Sequence, residues 1–373
     1  MMKKNALILS LLGIASALTV WGLAVGGDAS DPLISLSYLN GTYASTVDAR
    51  VDEKLNASDQ ALLAAADRKL SGSAGAGAVS SALADTWTEQ RLKERDMLSG
   101  STGLNVMVLA GSLQATFSSG SLVDVSAGTA VPSGTVLTAN HRYLVAEDTA
   151  AVFTVTSKTA VVDYQGYYAL SLSDAVDYNA MAAALKTLHL FKGSFTGYGQ
   201  GFDLEQAPTR LQALIMFIRV LGEEDSALAY TGSVPFTDLA PGTDAAKYVG
   251  YAYERGYTNG YTATEWRPAQ PVNVYQYTEF MLRALGYSST ANTDLSTTLA
   301  RAQSSGLLTA GEAAAFGSTA FLRAQLVYIS YYALDTAVSG TGLTLGDTLM
   351  EKGVYTFAED LDARALVSGP RIA

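Results

Sequence analysis

Few side chains in this sequence could carry out catalysis. The 373-residue chain has no cysteine, which excludes thiolate nucleophiles, thiolate metal ligands and disulfide bonds. Before residue 174 His141 is the candidate general base, and a lone histidine on a strand is usually a surface or structural residue. Asp124 and Asp163 could supply the pair of carboxylates that glycoside hydrolysis requires. Because Gly-x-Ser-x-Gly and His-Glu-x-x-His motifs are missing, we expect no enzymatic activity, no metal and no cofactor.

Composition and charge restrict the partners of the protein. Hydrophobic residues make up 49% of the chain and charged residues 16%, so it can bury a large core. Its length suits two or three domains. The formal net charge of -11 repels nucleic acid and anionic lipid, which excludes a nucleic-acid partner. A local basic pocket for a small anion stays compatible with this charge.

The N-terminal segment has the features of an export signal. Lys3 and Lys4 precede an apolar stretch at residues 6–25, and small residues follow it. Residues 1–27 are therefore predicted to be a signal peptide. An uncleaved membrane anchor is the alternative, because the stretch is close to the length that a membrane span needs. Both readings place the rest of the chain outside the cytoplasm.

Residues 28–100 are predicted to form a helical spacer. Apolar residues recur at helical spacing between Val47 and Leu55. A second helix is predicted to contain Trp87 and Leu92 and to end near Gly100. Since the apolar stripes are thin, we expect this region to act as a spacer or as a self-association element.

Residues 104–170 have the pattern of a small antiparallel β domain. Short runs rich in β-branched residues alternate with turn pairs such as Ser133-Gly134 and Gln165-Gly166. Regular spacing of short strands with such turns favours a sandwich or a barrel. The predicted fold class is therefore α+β with several domains, in which this β domain precedes an all-α C-terminal half.

The C-terminal half repeats a helix–loop–helix unit three times. The units cover about residues 174–222, 236–287 and 294–336, and residues 337–373 form a partly helical tail. The first helix of each unit is predicted to end at a glycine that supplies a left-handed cap: Gly193, Gly256 and Gly306. The second helix starts 17 or 18 positions later, at what we call the anchor position: Arg210, Val274 and Arg323. Apolar residues at helical spacing follow each anchor, so stacked units can share one core.

These repeats resemble the S-layer homology family of bacterial cell-surface proteins. The likeness is carried by Pro235-Phe236-Thr237-Asp238, by the segment from Gly256 to Gly260 and by Trp266-Arg267-Pro268. The anchor regions Pro208-Thr209-Arg210-Leu211-Gln212 and Leu322-Arg323-Ala324-Gln325 resemble the family's Thr-Arg-Ala-Glu helix start. The chain departs from the family at Val274, where an arginine is expected, and at Gln212 and Gln325, which replace a glutamate.

The resemblance implies a fold and a ligand. It implies a pseudo-threefold bundle in which grooves between repeats bind a secondary cell-wall polymer linked to peptidoglycan, often through a negatively charged pyruvyl sugar. In the family the anchor arginine is the main polar contact, and a guanidinium at a helix N-terminus suits a carboxylate. An indole can stack on a sugar face. The residues implied in polymer binding are Arg210, Arg323, Thr209, Trp266, Gly260, Gln212 and Gln325.

We therefore expect a non-catalytic, exported envelope protein at the cell wall or cell surface. Its S-layer homology repeats would attach it non-covalently to wall carbohydrate. Two alternatives use the repeats only as an anchor. One is a secreted polysaccharide-active enzyme, and the other is an oligomeric S-layer-like scaffold that associates through the N-terminal helices.

Overall fold

The computed structural model describes residues 49–50, 82–193 and 201–373. The predicted signal segment and most of the predicted spacer lie outside these residues. Within the described part of the chain, no helix is long and apolar enough to cross a membrane. Residues 82–373 fall in one compact unit that joins a β-sheet domain to a helical domain. The prediction of an α+β chain is confirmed.

The β domain is a nearly closed, barrel-like antiparallel sheet. The neighbour order is β6-β5-β8-β3-β10-β2-β9-β4-β7, and β1 pairs with residues 159–168 of β10. Its ten strands are β1 (Ala82–Lys93), β2 (Met97–Ser101), β3 (Asn105–Ala110), β4 (Leu113–Thr116), β5 (Leu122–Asp124), β6 (Thr129–Val131), β7 (Thr135–Val136), β8 (Arg142–Val145), β9 (Ala150–Val155) and β10 (Thr159–Ser171). In β9 the inward residues Ala151, Phe153 and Val155 alternate with more exposed ones, as a half-buried strand requires.

The predicted helix around Trp87 and Leu92 is wrong, because this segment forms β1. β1 pairs with β10 over almost its whole length, with a bulge between Ala84 and Thr88. Leu92 and Ala84 are buried in the barrel core, whereas Trp87 is partly exposed at the bulge. The structure of this segment is decided by pairing with a strand some 75 residues away in sequence. Local propensity contains no information about such a distant partner. The β domain therefore begins at residue 82 and not at residue 104.

The helical domain packs around one apolar core, whose largest members include Trp266, Tyr277, Tyr328 and Phe217. A 3₁₀ turn covers Leu295–Thr297. The helices described in this half are α1 (Tyr178–Thr187), α2 (Arg210–Val220), α3 (Glu224–Leu228), α4 (Asp244–Glu254), α5 (Val274–Ala284), α6 (Thr298–Ser304), α7 (Ala310–Gly317), α8 (Arg323–Ala333), α9 (Leu345–Glu351) and α10 (Phe357–Leu366).

The glycine caps follow the sequence prediction in two places out of three. Gly256 after α4 and Gly306 after α6 have φ values of 73° and 78°, in the left-handed region. After α1 this position is taken by His189, with φ 62°, and not by Gly193. α1 ends earlier than predicted because the amide of Leu190 already donates to the carbonyl of Leu185, which closes the helix.

The loops around Asp203 and Arg267 share an unusual backbone conformation. Asp203 and Arg267 both have positive φ, at 52° and 62°. Beside Arg267, the carbonyls of Pro268 and Gln270 accept from the first two amides of α2. Beside Asp203, the carbonyls of Leu204 and Gln206 accept from the first two amides of α8. The same pair of backbone bonds therefore joins each of these loops to the N-terminus of a different helix.

Candidate functional site

A groove of about 300 Å³ lies where the N-terminus of α2 meets the loop at residues 259–261 and the side of α5. We call it the Arg210 groove. Its walls are formed by Arg210, Asn259, Gly260, Tyr261, Gln276, Glu279, Phe280, Arg283, Thr293 and Leu295. Two guanidinium groups and one carboxylate thus border a single open space.

The Arg210 side chain is 6% exposed and has no ion-pair contact with a carboxylate among the described residues; Asp238 acts on its charge from a greater distance. Nη2 donates to the carbonyl of Asn259 at 2.7 Å, and the guanidinium lies over the rings of Trp266 and Phe280. Nε is buried and has no hydrogen-bond partner among the described residues. Burial, together with the positive charge of Arg283, lowers the pKa of Arg210 to about 10.

This burial makes the charged form of Arg210 costly to maintain. A shift of one pKa unit corresponds to about 1.4 kcal/mol, so holding the charged form here costs on the order of 3 kcal/mol. Cation–π contacts and one carbonyl offset only part of the cost of removing a guanidinium from water. A carboxylate or another oxyanion that enters the groove would supply the missing charge and hydrogen-bond acceptors.

The start of α2 fixes where Arg210 points. Thr209 is the N-cap: its hydroxyl accepts from the amide of Gln212, and the Gln212 side chain accepts from the amide of Thr209. This reciprocal capping box explains why both residues stand at this place in the sequence. The loop carbonyl of Gln270 accepts from the amide of Arg210 at 2.7 Å. Thr209 and Gln212 therefore position Arg210 and do not line the groove themselves.

Trp266 does not offer a face to a sugar, which corrects the role implied for it. The side chain is 0% exposed, and its Nε1 donates to the hydroxyl of Thr258 at 3.2 Å. The carboxylate of Asp238 accepts from the amides of both Trp266 and Arg267. The Pro235–Asp238 motif thus holds the turn that buries the indole behind Arg210. An apolar residue of this size gains more from the core than from the surface.

Gly260 and Tyr261 form the outer wall of the groove. A Cβ atom on Gly260 would lie 2.2 Å from the carbonyl oxygen of Thr262 and 2.5 Å from the Phe236 ring, so a larger residue would displace the loop. Tyr261 is 53% exposed, and the guanidinium of Arg267 covers one face of its ring at 3.8 Å. Gly260 was predicted from the sequence, whereas Tyr261 was not assigned to the site.

Glu279 lies at the base of the groove and is bonded to two arginines. Its carboxylate accepts from Nε of Arg283 at 3.2 Å and from Nη2 of Arg301 at 2.6 Å. The hydroxyl of Thr298 donates to it at 3.0 Å, and the hydroxyl of Ser288 donates as well. Burial lowers the pKa of Arg283, although Glu279 opposes this effect.

Arg323 lies at a different interface from Arg210. Its Nε donates to the carbonyl of Phe202 at 3.2 Å, and its guanidinium lies over the Phe191 ring. Burial lowers its pKa too. Gln325 is fully buried, caps α8 and donates to the carbonyl of Ala320. The structure therefore does not bring Arg323 and Gln325 to the Arg210 groove.

At the remaining anchor position, Val274 borders an apolar cleft of about 400 Å³. Its other walls include Val272, Tyr275, Phe316 and Phe321. Val274 itself is buried. This cleft presents no charged side chain, so it differs chemically from the Arg210 groove.

The two aspartates considered for glycoside hydrolysis lie on opposite faces of the sheet. Asp124 pairs with Tyr143, which is buried in the barrel interior. Asp163 pairs with Met107, which pairs in turn with exposed Arg142. Because Arg142 and Tyr143 are consecutive residues of one strand, their side chains point to opposite faces. Asp124 and Asp163 cannot act together on one bond.

His141 forms a hydrogen bond between its Nδ1 and Asp124 Oδ2 at 2.7 Å. Burial alone would raise the pKa of Asp124, but His141 and the amide of Ala127 lower it overall. The contact joins the end of β5 to the residue that precedes β8, the strand beside it in the sheet. Among the described residues no group of three His, Cys, Asp or Glu side chains could hold a metal ion.

Sequence reasoning missed Arg283, Glu279 and Tyr261. One signal was available for Arg283: it stands two positions before Leu285-Gly286, and Arg219 stands two positions before Leu221-Gly222. No comparable signal marks Glu279 or Tyr261. No known family model matches the chain, and no curated protein matches it.

Proposed function

We propose that this protein is an exported, non-catalytic envelope protein that attaches to cell-wall carbohydrate through the Arg210 groove of its helical domain. The ligand is an acidic sugar of a wall polymer. The observation that carries the proposal is the buried guanidinium of Arg210, which borders an open groove and has no carboxylate partner among the described residues. A charge in this state favours an anionic ligand.

The repeat pattern supports an S-layer homology bundle as the framework of this site. The loops at Asp203 and Arg267 share a left-handed backbone residue and make the same pair of bonds to a neighbouring anchor helix. Such a relation is expected when one unit packs against the next around a pseudo-threefold axis. The second pair joins the predicted units one and three.

The size of the groove suits a small part of a polymer. Ligand pockets in proteins range from roughly 300 to 1,000 Å³, so a volume of about 300 Å³ accommodates about one sugar residue with its substituent. The exposed Tyr261 ring and the polar Gln276 lie at its edge. The groove would therefore recognise one charged sugar unit of a long polymer, and the rest of the polymer would remain in solvent.

Sedimentation with wall sacculi tests the proposal. The purified protein should pellet with sacculi that retain their secondary polymer and stay in solution with acid-stripped sacculi. Arg210→Gln should abolish this retention, since glutamine keeps the polarity but not the charge. Arg95→Gln is the matched control, because Arg95 is an exposed arginine of the barrel paired with Asp174. Equal pelleting with stripped sacculi would refute polymer recognition.

A small soluble ligand measures binding to the groove independently of retention on sacculi. The pyruvyl ketal of a methyl hexoside carries one carboxylate on one sugar, and the unmodified methyl hexoside is its neutral counterpart. Calorimetry should detect binding of the ketal and not of the neutral sugar. If both sugars bind equally, the groove recognises the ring and not the charge, and the proposal for Arg210 fails.

A further inference from the structure

The arginines around Glu279 exceed what its carboxylate can neutralise. Arg301 already pairs with Glu279 Oε2 at 2.6 Å, and Arg283 adds a second guanidinium at Oε1. All three side chains are at most partly exposed. If the only purpose of the cluster were to neutralise Glu279, one arginine would suffice. This positive charge lies next to Arg210, which has no ion-pair contact among the described residues, although the more distant Asp238 carboxylate opposes the lowering of its pKa.

The position of Arg283 directs this surplus charge to the groove. Its Nε donates to Glu279 and its Nη2 donates to the carbonyl of Asn292 at 3.0 Å, which fixes the plane of the guanidinium. The side chain also forms part of the groove wall. Burial is the main cause of the lowered pKa of Arg210, and the charge of Arg283 adds to it. Two like charges are therefore held near one another across the same open space.

We propose that Arg283 is a second ligand-binding cation and that the anion is held between Arg210 and Arg283. This inference rests on the proposed function and names a residue outside the anchor position and outside the motifs that carry the family resemblance. An anion between two fixed guanidinium groups relieves their mutual repulsion and accepts hydrogen bonds from both. The ligand class is an oxyanion with charge spread over at least two oxygens, such as a sugar-borne carboxylate.

Arg283→Gln tests this directly, with Arg219→Gln as the matched control. Arg219 occupies the equivalent position on α2 and pairs with Glu224, away from the groove. Loss of a charge-assisted contact should weaken binding of the pyruvyl ketal by about 10- to 100-fold in Arg283→Gln. Arg283→Lys, which keeps the charge, should recover most of the affinity. Arg219→Gln should bind like the native protein.

The outcomes distinguish this inference from the proposed function. If the native protein does not bind the ketal, the proposed function fails. If Arg210→Gln abolishes binding and folded Arg283→Gln binds normally, only the role of Arg283 is refuted. Should Arg283→Gln not fold, nitrogen NMR of the arginine Nε–H groups in the native protein gives the answer. The ketal should shift the signals of both Arg210 and Arg283, and an unmoved Arg283 signal would overturn the inference.

Discussion

The guanidinium carbon of Arg210 lies 4.6 Å from the ring centroid of Trp266, and both side chains are buried. Thr258 joins them, because its hydroxyl accepts from the indole at 3.2 Å and lies 3.5 Å from Nη2 of Arg210. The indole thus forms the wall against which the charged group rests. This contact relates the Trp-Arg-Pro motif to the anchor arginine of the preceding unit.

Trp266→Phe should therefore lower stability far more than it lowers retention on sacculi. Truncating a buried aromatic side chain to alanine costs about 3–5 kcal/mol, and phenylalanine should cost less because it keeps a ring beside Arg210. The indole does not reach the groove surface, so binding of the folded variant should stay within a few-fold of native. Denaturant unfolding and sedimentation measure the two effects. Lost binding at native stability would mean that Trp266 touches the ligand.

Asp238→Ala should destabilise the helical domain through the backbone. The carboxylate accepts from the amides of Trp266 at 3.0 Å and of Arg267 at 2.6 Å, where Arg267 has positive φ. Hydrogen bonds to a charged acceptor contribute about 1.5–3 kcal/mol, so we expect a loss of about that size. Asp244→Ala, which breaks the surface pair with Lys247, should cost less than about 1 kcal/mol. Equal losses in the two variants would contradict this role of Asp238.

Features that depend on short local segments could be predicted from the sequence, whereas features that depend on pairing between distant segments could not. The glycine turns at Gly256 and Gly306 are properties of short segments, so the sequence indicated them. The strand around Trp87 depends on pairing with β10, and a thin apolar stripe in isolation favoured a helix instead. Long-range pairing of this kind overrides local propensity.

The residues of the groove also differ in how far the sequence alone indicates them. The anchor position of Arg210 recurs along the chain, and the family resemblance implied a ligand contact for it. Whether Trp266 faces solvent or the core depends on how the turn at Asp238 folds, and sequence alone does not decide it. Arg283 belongs to the groove because α5 packs beside the N-terminus of α2. That packing is a property of the assembled units and not of one motif.

Val274→Arg should destabilise the protein without adding a binding site. Val274 is buried beside Phe316 and Phe321 in a cleft that has no charged lining residue. An unpaired charge there should cost at least about 2 kcal/mol, since a buried charge is tolerated only when it is paired. Val274→Met should cost less than about 1.5 kcal/mol, because the change stays apolar and the cleft has room.

Calorimetry with the pyruvyl ketal completes this comparison. Arg210 depends on the carbonyl of Asn259 and the face of Trp266 and has a second arginine, Arg283, in the same groove, whereas the cleft at Val274 has no charged side chain among its walls. We expect one bound ketal in this pair of sites for native protein and for Val274→Arg. A second bound ketal in the variant would show that the charge alone makes a groove functional.

Glu224 should account for part of the acid sensitivity of the helical domain. Its carboxylate accepts from Lys192, Arg219 and Tyr248. Burial alone would raise the pKa of Glu224, but these three bonds outweigh it and lower the pKa to about 2. Because the folded-state pKa lies below the ordinary value of 4.5, the stabilisation is present above pH 4.5. It is lost as the pH falls from 4.5 towards 2.

Glu224→Gln should remove this pH-dependent contribution. A downward shift of this size corresponds to at most about 3 kcal/mol at neutral pH, and solvent screening of this partly exposed group reduces it, so the variant should be less stable than native protein by about 1–2 kcal/mol. The difference should shrink between pH 4.5 and pH 2, because the native glutamate then also loses its charge. Unfolding free energies at several pH values measure it, with exposed Glu351→Gln as a matched change of net charge. A stability difference that stays constant across this window would show that Glu224 acts through packing and not through its charge.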